Sequence, residues 1–214
     1  MSFLDQLKSQ ARALQDQQGL QQQDLAQRLA DTERACETTW RYLSDLARQL
    51  NVIGPDGPVL ALDKRQPWPT LHLVDFRADV RRKRLVDREV CDYIALTWLI
   101  QPKVGAPQAA SVSVNFPPDL ERVTRQLACG QIRHERVEIR HPGNNSLQAV
   151  RFDYSTQAKA GIQVTADHER AELGFRLANL GGFEVREVRY AARQVDSTLL
   201  DELARLVLGQ AGNF

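Results

Sequence analysis

The first fifty residues repeat apolar side chains every three or four positions, the spacing that places them on one face of an α-helix. A short series near the start consists of Leu4, Leu7, Ala11 and Leu14. A second series alternates steps of four and three like the seam of a coiled coil. It comprises Leu25, Leu29, Thr32, Cys36, Thr39, Leu43, Leu46 and Leu50. The pattern predicts a helical arm over residues 1–52.

The two series differ in register, because continuing the first by heptad steps leads to Arg28, whereas the apolar residue is Leu29. Gly19, which precedes a run of glutamines, is the place where a helix could end, since glycine readily takes the left-handed conformation. We therefore predict a helical hairpin. One long kinked helix is the alternative, because glutamine is itself a good helix former.

Residues 53–70 are rich in proline and glycine and predict a connector that no helix crosses. Within it, Trp68 lies between Pro67 and Pro69. We expect the indole to anchor the connector to the core of the protein.

From residue 71 onward the apolar period changes to two, which is typical of strands. Val74, Phe76, Ala78 and Val80 alternate with charged residues, and residues 90–100 are apolar on both faces like a covered strand. A third alternating set covers residues 110–116. Five further strands are predicted near residues 132–141, 147–154, 158–166, 171–178 and 183–190. The short links between them leave no room for crossover helices, so the strands should be antiparallel.

Two helices are predicted within this body, over residues 120–128 and, after an Asp196 cap, over residues 199–207. A change of apolar phase near Arg186 and Glu187 indicates a β-bulge. The predicted fold class is therefore α+β: an N-terminal helical hairpin (or kinked long helix) followed by a largely antiparallel β-sheet with two packed helices. The predicted divisions are an arm (1–52), a connector (53–70) and a body (71–214).

Composition predicts a folded protein, because 43% of the residues are hydrophobic and 26% are charged. With 28 basic and 27 acidic residues, the overall balance favours no polyanionic partner. One local cluster is a candidate polyanion site and consists of Arg81, Arg82, Lys83 and Arg84. Acidic residues flank this cluster, so nucleic-acid binding is expected to be unlikely and a charged strand edge is the favoured interpretation.

The three cysteines lie far apart and form no C-x-x-C pair, which favours a reducing compartment over a disulfide or zinc framework. No apolar run resembles a signal peptide or a membrane span. These observations predict a cytoplasmic protein that does not bind membranes.

Motifs for catalysis are missing from the sequence. The four histidines have no metal-site spacing, and there is no phosphate-binding loop or nucleophile elbow. We therefore predict no cofactor and no catalytic residue, and we lean against an enzyme.

The leading hypothesis is a non-catalytic binding or assembly protein that self-associates, or docks a protein partner, through its N-terminal helices. The residues predicted to make that contact are Leu25, Leu29, Cys36, Leu43, Leu46 and Leu50. The alternative for this apolar face is packing on the chain's own body or within the hairpin. One alternative is a small apolar ligand binder or enzyme with a cavity between the sheet and the C-terminal helix. Its aromatic candidates are Tyr93, Trp98, Phe152 and Phe175. The other alternative is a weak nucleic-acid binder that acts through Arg81, Arg82, Lys83 and Arg84.

Overall fold

A computed structural model describes residues 3–63, 67–85 and 88–214 of the chain. The elements are, in chain order, α1 (Phe3–Ile53), β1 (Leu71–Leu85), β2 (Arg88–Pro102), β3 (Ala109–Val114), α2 (Pro117–Cys129), β4 (His134–Arg140), β5 (Leu147–Ser155), β6 (Ala158–Asp167), β7 (Glu172–Ala178), β8 (Val185–Ala191), a short 3-10 helix (Ala192–Gln194) and α3 (Ser197–Val207).

The strands form two antiparallel sheets. A five-stranded sheet has the order β1-β2-β6-β7-β8, and a three-stranded sheet has the order β3-β5-β4. Strand β2 is flanked on both sides, by β1 and β6, which agrees with its nearly continuous apolar sequence. The predicted α+β class and the antiparallel pairing are confirmed.

The N-terminal arm is a single α-helix, and Gly19 lies inside it. The interruption predicted at Gly19 is absent, so the structure has the single-helix alternative. Leu14 and Leu50 are thirty-six residues apart, which is about ten turns of an α-helix. The register change near Leu25 is therefore a stutter that a helix of 3.6 residues per turn absorbs, and Leu7 and Leu14 share one side of α1 with the second apolar series.

The C-terminal half of α1 packs on the body. Leu43, Ala47 and Leu50 are buried in the core. Polar contacts mark where this packing begins: the Arg28 guanidinium donates to the Glu169 carbonyl at 2.9 Å. The residues of α1 that precede Arg28 form the first half of the helix and extend past this contact.

Strand β1 contains a bulge that alternation alone did not predict. Its register against β2 shifts between Val74 and Arg77, and Asp75 has a φ of 57°. Leu73 is buried before the bulge and Phe76 after it, whereas Val74 is half-buried. The prediction that Val74 shares the buried face of Phe76 is wrong, because the bulge reverses which side chains face the core.

The bulge predicted near Arg186 and Glu187 is also wrong. Strand β8 pairs with β7 in one continuous register from Val185 to Ala191. Phe183 precedes the strand, and its ring packs edge-on against Trp68 at 5.5 Å. The change of apolar phase therefore marks the start of β8 rather than a defect within it.

Helix α3 is the last element of the fold and packs its apolar face into the core. As predicted, Asp196 caps it, accepting a hydrogen bond from the Leu199 amide at 2.9 Å. Its buried side chains are Leu200, Leu203 and Val207. The Phe214 ring packs 5.2 Å from the rings of both Phe175 and Tyr190.

Candidate assembly surfaces

The first half of α1 lies outside the core. Residues 3–28 would extend about 39 Å at 1.5 Å per residue. Every side chain described in this segment is exposed. Leu7 and Leu25 lie seven and eleven residues from Leu14, so all three fall within about 20° of one line along the helix. We call this set, Leu7, Leu14 and Leu25, the exposed stripe.

The exposed stripe continues a buried one. Leu43 and Leu50 lie on the same side of α1 as Leu14 and are buried against the body. Of the six residues predicted to contact a partner, Cys36, Leu43 and Leu50 are buried within this chain, and Leu29 and Leu46 are half-buried. Leu25 is exposed. The predicted seam is thus divided between packing within the chain and a free surface.

The segment around the exposed stripe carries no net charge. Residues 3–28 contain three basic residues, Lys8, Arg12 and Arg28, and three acidic residues, which are Asp5, Asp16 and Asp24. The Asp24 carboxylate pairs with the Arg28 guanidinium at 2.6 Å. Glutamines supply most of the remaining polar surface. Two copies of this segment would therefore meet without overall charge repulsion.

The basic cluster lies at the end of the β1-β2 hairpin. Arg81, Arg82, Lys83 and Arg84 are all exposed. Lys83 pairs with Asp92 on the neighbouring strand at 3.1 Å. Residues on a strand alternate between its faces, so the four cations do not form one patch. Polyanion binding at this cluster stays a prediction.

A buried polar cluster joins α1 to the sheet. One carboxylate oxygen of Glu33 is 2.8 Å from the His168 Nε2 and accepts a hydrogen bond from the Cys91 amide at 2.9 Å. A hydrogen bond between the thiols of Cys36 and Cys91, together with burial, raises the pKa of Cys36 far above its usual range. The same hydrogen bond lowers the pKa of Cys91. The cluster joins α1 to the sheet through these contacts. Glu33 and Cys36 lie on α1, but Cys91 and His168 are 58 and 135 residues from Glu33, so no local motif could have predicted the cluster.

The outer face of the five-stranded sheet carries an open cavity of about 570 Å³. Small residues such as Gly161 form its floor, and Arg77, Lys159 and Arg176 line it. Arg77 is paired with Asp75 at 2.9 Å. Cys129 also lines the cavity, but burial raises the pKa of its thiol, which makes it a poor nucleophile.

Three of the four aromatic residues proposed for a ligand cavity are buried, and Tyr93 is half-buried. Phe152 and Phe175 are buried, and Trp98 stacks on Phe76 with 5.2 Å between ring centres. Trp98 also borders the open cavity described above, together with residues that alternate with the buried ones along β2. The ligand-binding alternative stays a prediction without a site assigned to it.

The described residues offer neither grouped metal ligands nor a membrane-spanning helix. In these residues no three His, Cys, Asp or Glu side chains are grouped so that they could hold a metal ion. Nor does any helix in the described part of the chain have the length and apolar character needed to cross a membrane.

Comparison with known proteins assigned no family. No family model matches the chain, and no curated protein or solved structure is significantly similar to it.

Proposed function

We propose that the protein is a non-catalytic assembly protein that self-associates by pairing residues 3–28 of α1 with the same segment of a second copy. The observation that carries the proposal is the exposed stripe, which extends the face of α1 that packs on the body. Leu7, Leu14 and Leu25 repeat at helical spacing on this segment, where the described side chains are all exposed.

Helix stability supports a paired state. Most helices gain their stability from packing an amphipathic face, and residues 3–28 of α1 leave their apolar face exposed. Residues 3–28 also contain Gly19, which lowers helix propensity further. Pairing two exposed stripes would remove apolar surface from water and stabilise both helices.

The neutral segment favours a second copy over a charged partner. Like charges opposite each other destabilise a helix pair, whereas equal numbers of acidic and basic residues among glutamines impose no such penalty. A partner recognised through charge would require an excess of one sign on this segment.

Light scattering on full-length variants tests the proposal. Leu14→Glu places a carboxylate in the middle of the exposed stripe and should halve the particle mass, because a charge buried between two helices is unfavourable. Leu20→Glu is the matched control. Leu20 is 68% exposed and Leu14 60%, but Leu20 lies about 240° further around the helix, outside the stripe.

The control should keep the mass of the unsubstituted chain, and circular dichroism should show that both variants fold. Equal masses for all three proteins would remove self-association through this face. A measured mass of 24.2 kDa for the unsubstituted protein, which is the mass of one chain, would also exclude self-association.

A further inference from the structure

Three of the four strands at the sheet edges are protected against pairing with another chain. The edge of β1 is covered by the last turn of α1 and by the segment that follows it. The Asn51 side chain accepts from the Phe76 amide and donates to the Phe76 carbonyl, both at 2.8 Å. The Leu73 amide donates to the Pro55 carbonyl at 2.8 Å. Asn51 thus substitutes for the backbone of a further strand.

Charged side chains protect the edge strands β8 and β4. Strand β8 carries Arg186, Glu187 and Arg189, and β4 has the sequence His-Glu-Arg-Val-Glu-Ile-Arg. Charges on edge strands are the usual means by which proteins prevent edge-to-edge association.

Strand β3 lacks such protection. Its sequence is Ala-Ala-Ser-Val-Ser-Val, with no charge and no proline. Among the described residues it pairs with β5 alone. Ala109, Ser111 and Ser113 are exposed.

Hydrogen bonding fixes which backbone groups of β3 face the open side. The Gln108 carbonyl accepts from the Thr156 amide of the β5 side at 2.9 Å. Backbone groups on a strand in an antiparallel pair alternate in direction, so those of Ala109, Ser111 and Ser113 point away from β5. Within the described part of the chain, these three residues present amide donors and carbonyl acceptors along the edge of β3 that faces away from β5.

We propose that β3 pairs antiparallel with β3 of a second copy, with Ser111 opposite Ser111 at the centre. Ala109 then lies opposite Ser113 of the second copy, and the outward backbone groups of both strands satisfy one another. The result is a continuous six-stranded sheet with the order β4-β5-β3-β3-β5-β4. This interface is independent of the helix pairing proposed above.

Self-complementarity favours a second copy as the occupant. Two-fold pairing brings each residue against a residue of the same strand, which charged or bulky side chains would disfavour. Here the solvent-facing pairs involve Ala109, Ser111 and Ser113, all small. On the opposite face, the buried Val112 and Val114 would extend one apolar layer across the junction.

Disulfide trapping tests the register of this pairing. The full-length chain carries Leu14→Glu, to remove helix pairing, and Cys129→Ser, to remove the least buried native thiol. Into it we introduce Ser111→Cys or, as a matched control, Ser113→Cys. Facing residues of a hydrogen-bonded antiparallel pair have Cα atoms about 5.5 Å apart, which suits a disulfide. Two residues at position 113 would lie roughly 14 Å apart along the strands, too far for a disulfide.

Mild oxidation with copper phenanthroline should convert Ser111→Cys to a covalent dimer at least tenfold faster than Ser113→Cys. Adding Ser111→Lys instead, which places two ammonium groups opposite each other, should leave the protein monomeric in light scattering. Equal crosslinking rates at the two positions, or no crosslinking at position 111, would overturn the β3 pairing. Because Leu14→Glu is present throughout, neither outcome depends on the helix interface.

Discussion

Asp31 links α1 to the turn that precedes α3. Its carboxylate accepts a hydrogen bond from the Arg193 guanidinium at 2.7 Å and another from the side-chain amide of Gln27 at 2.9 Å. The hydrogen bond from Arg193 lowers the pKa of Asp31 below its usual value of 3.8. A carboxylate whose pKa is lower in the folded state stabilises the fold at pH values above its ordinary pKa. That contribution is lost as the pH falls through the lowered pKa.

We expect Asp31→Asn to lower the urea midpoint at pH 7 and to have a smaller effect at acid pH, where protonation of Asp31 leaves both proteins with a neutral side chain. Urea unfolding at the two pH values measures this difference. Arg34→Gln is a suitable control, because Arg34 is largely exposed and lies farther from Asp31, at 3.6 Å. If Asp31→Asn lowers the urea midpoint by a similar amount at both pH values, the shape of the side chain rather than its charge determines how Asp31 stabilises the fold.

Asn179 ties the end of α2 to the five-stranded sheet. It is 1% exposed, and its amide nitrogen donates to the carbonyls of Cys129 and Lys159 at 2.8 and 2.7 Å. Its φ of 61° lies in the left-handed region, which asparagine tolerates better than alanine.

Asn179→Ala should lower the free energy of unfolding by about 3 kcal/mol, because two partly buried hydrogen bonds to backbone carbonyls are lost and the backbone is strained. Asn179→Gly removes the same hydrogen bonds but relieves the strain, so its loss should be smaller by roughly 1 kcal/mol. Urea titration of the three proteins measures both differences. A glycine variant less stable than the alanine variant would contradict this account.

At the scale of elements, α1 contains a glycine that its structure does not require. A Cβ atom added at Gly19 would meet nothing within 4 Å, and the φ of Gly19 is not positive. Gly19→Ala should therefore stabilise the helix by about 0.5–1 kcal/mol. Circular dichroism should show greater helicity at elevated temperature. A loss of helicity would indicate that glycine is needed for a bend.

Periodicity alone predicted most of the elements but not how they pair. The apolar spacing of residues 199–207 and the Asp196 cap correspond to α3, because helix faces and caps are local features. The misplaced interruption at Gly19 and the missed bulge at Asp75 have a different origin. A change of apolar phase can mark a stutter, a bulge or the end of an element, and packing decides which.

The candidate surfaces were predictable to different extents. The leucine spacing predicted an apolar face on α1, yet it could not tell that Leu43 and Leu50 pack within the chain while Leu14 stays exposed. The open edge of β3 was not predictable, because sheet order depends on contacts between residues distant in sequence. The absence of charge in its sequence indicates a pairing surface only once β3 is known to be an edge strand.

At the scale of the whole molecule, the two proposed interfaces limit the possible assemblies. Each would be isologous, meaning that the same surface is used on both copies. A chain with two different isologous interfaces forms a closed tetramer when the two-fold axes intersect at right angles, and otherwise an extending array. The unsubstituted chain should then exceed a dimer at concentrations where both interfaces are occupied.

The combined variants give a stepwise prediction. Leu14→Glu, which leaves only the β3 edge, and Ser111→Lys, which leaves only the exposed stripe of α1, should each yield a dimer. The double variant should yield a monomer of 24.2 kDa. Analytical ultracentrifugation across a concentration series measures all four states, and Leu20→Glu should behave as the unsubstituted chain. The interfaces are separate surfaces, so their free energies of association should add. A double variant that remains dimeric would place the contact on a third surface.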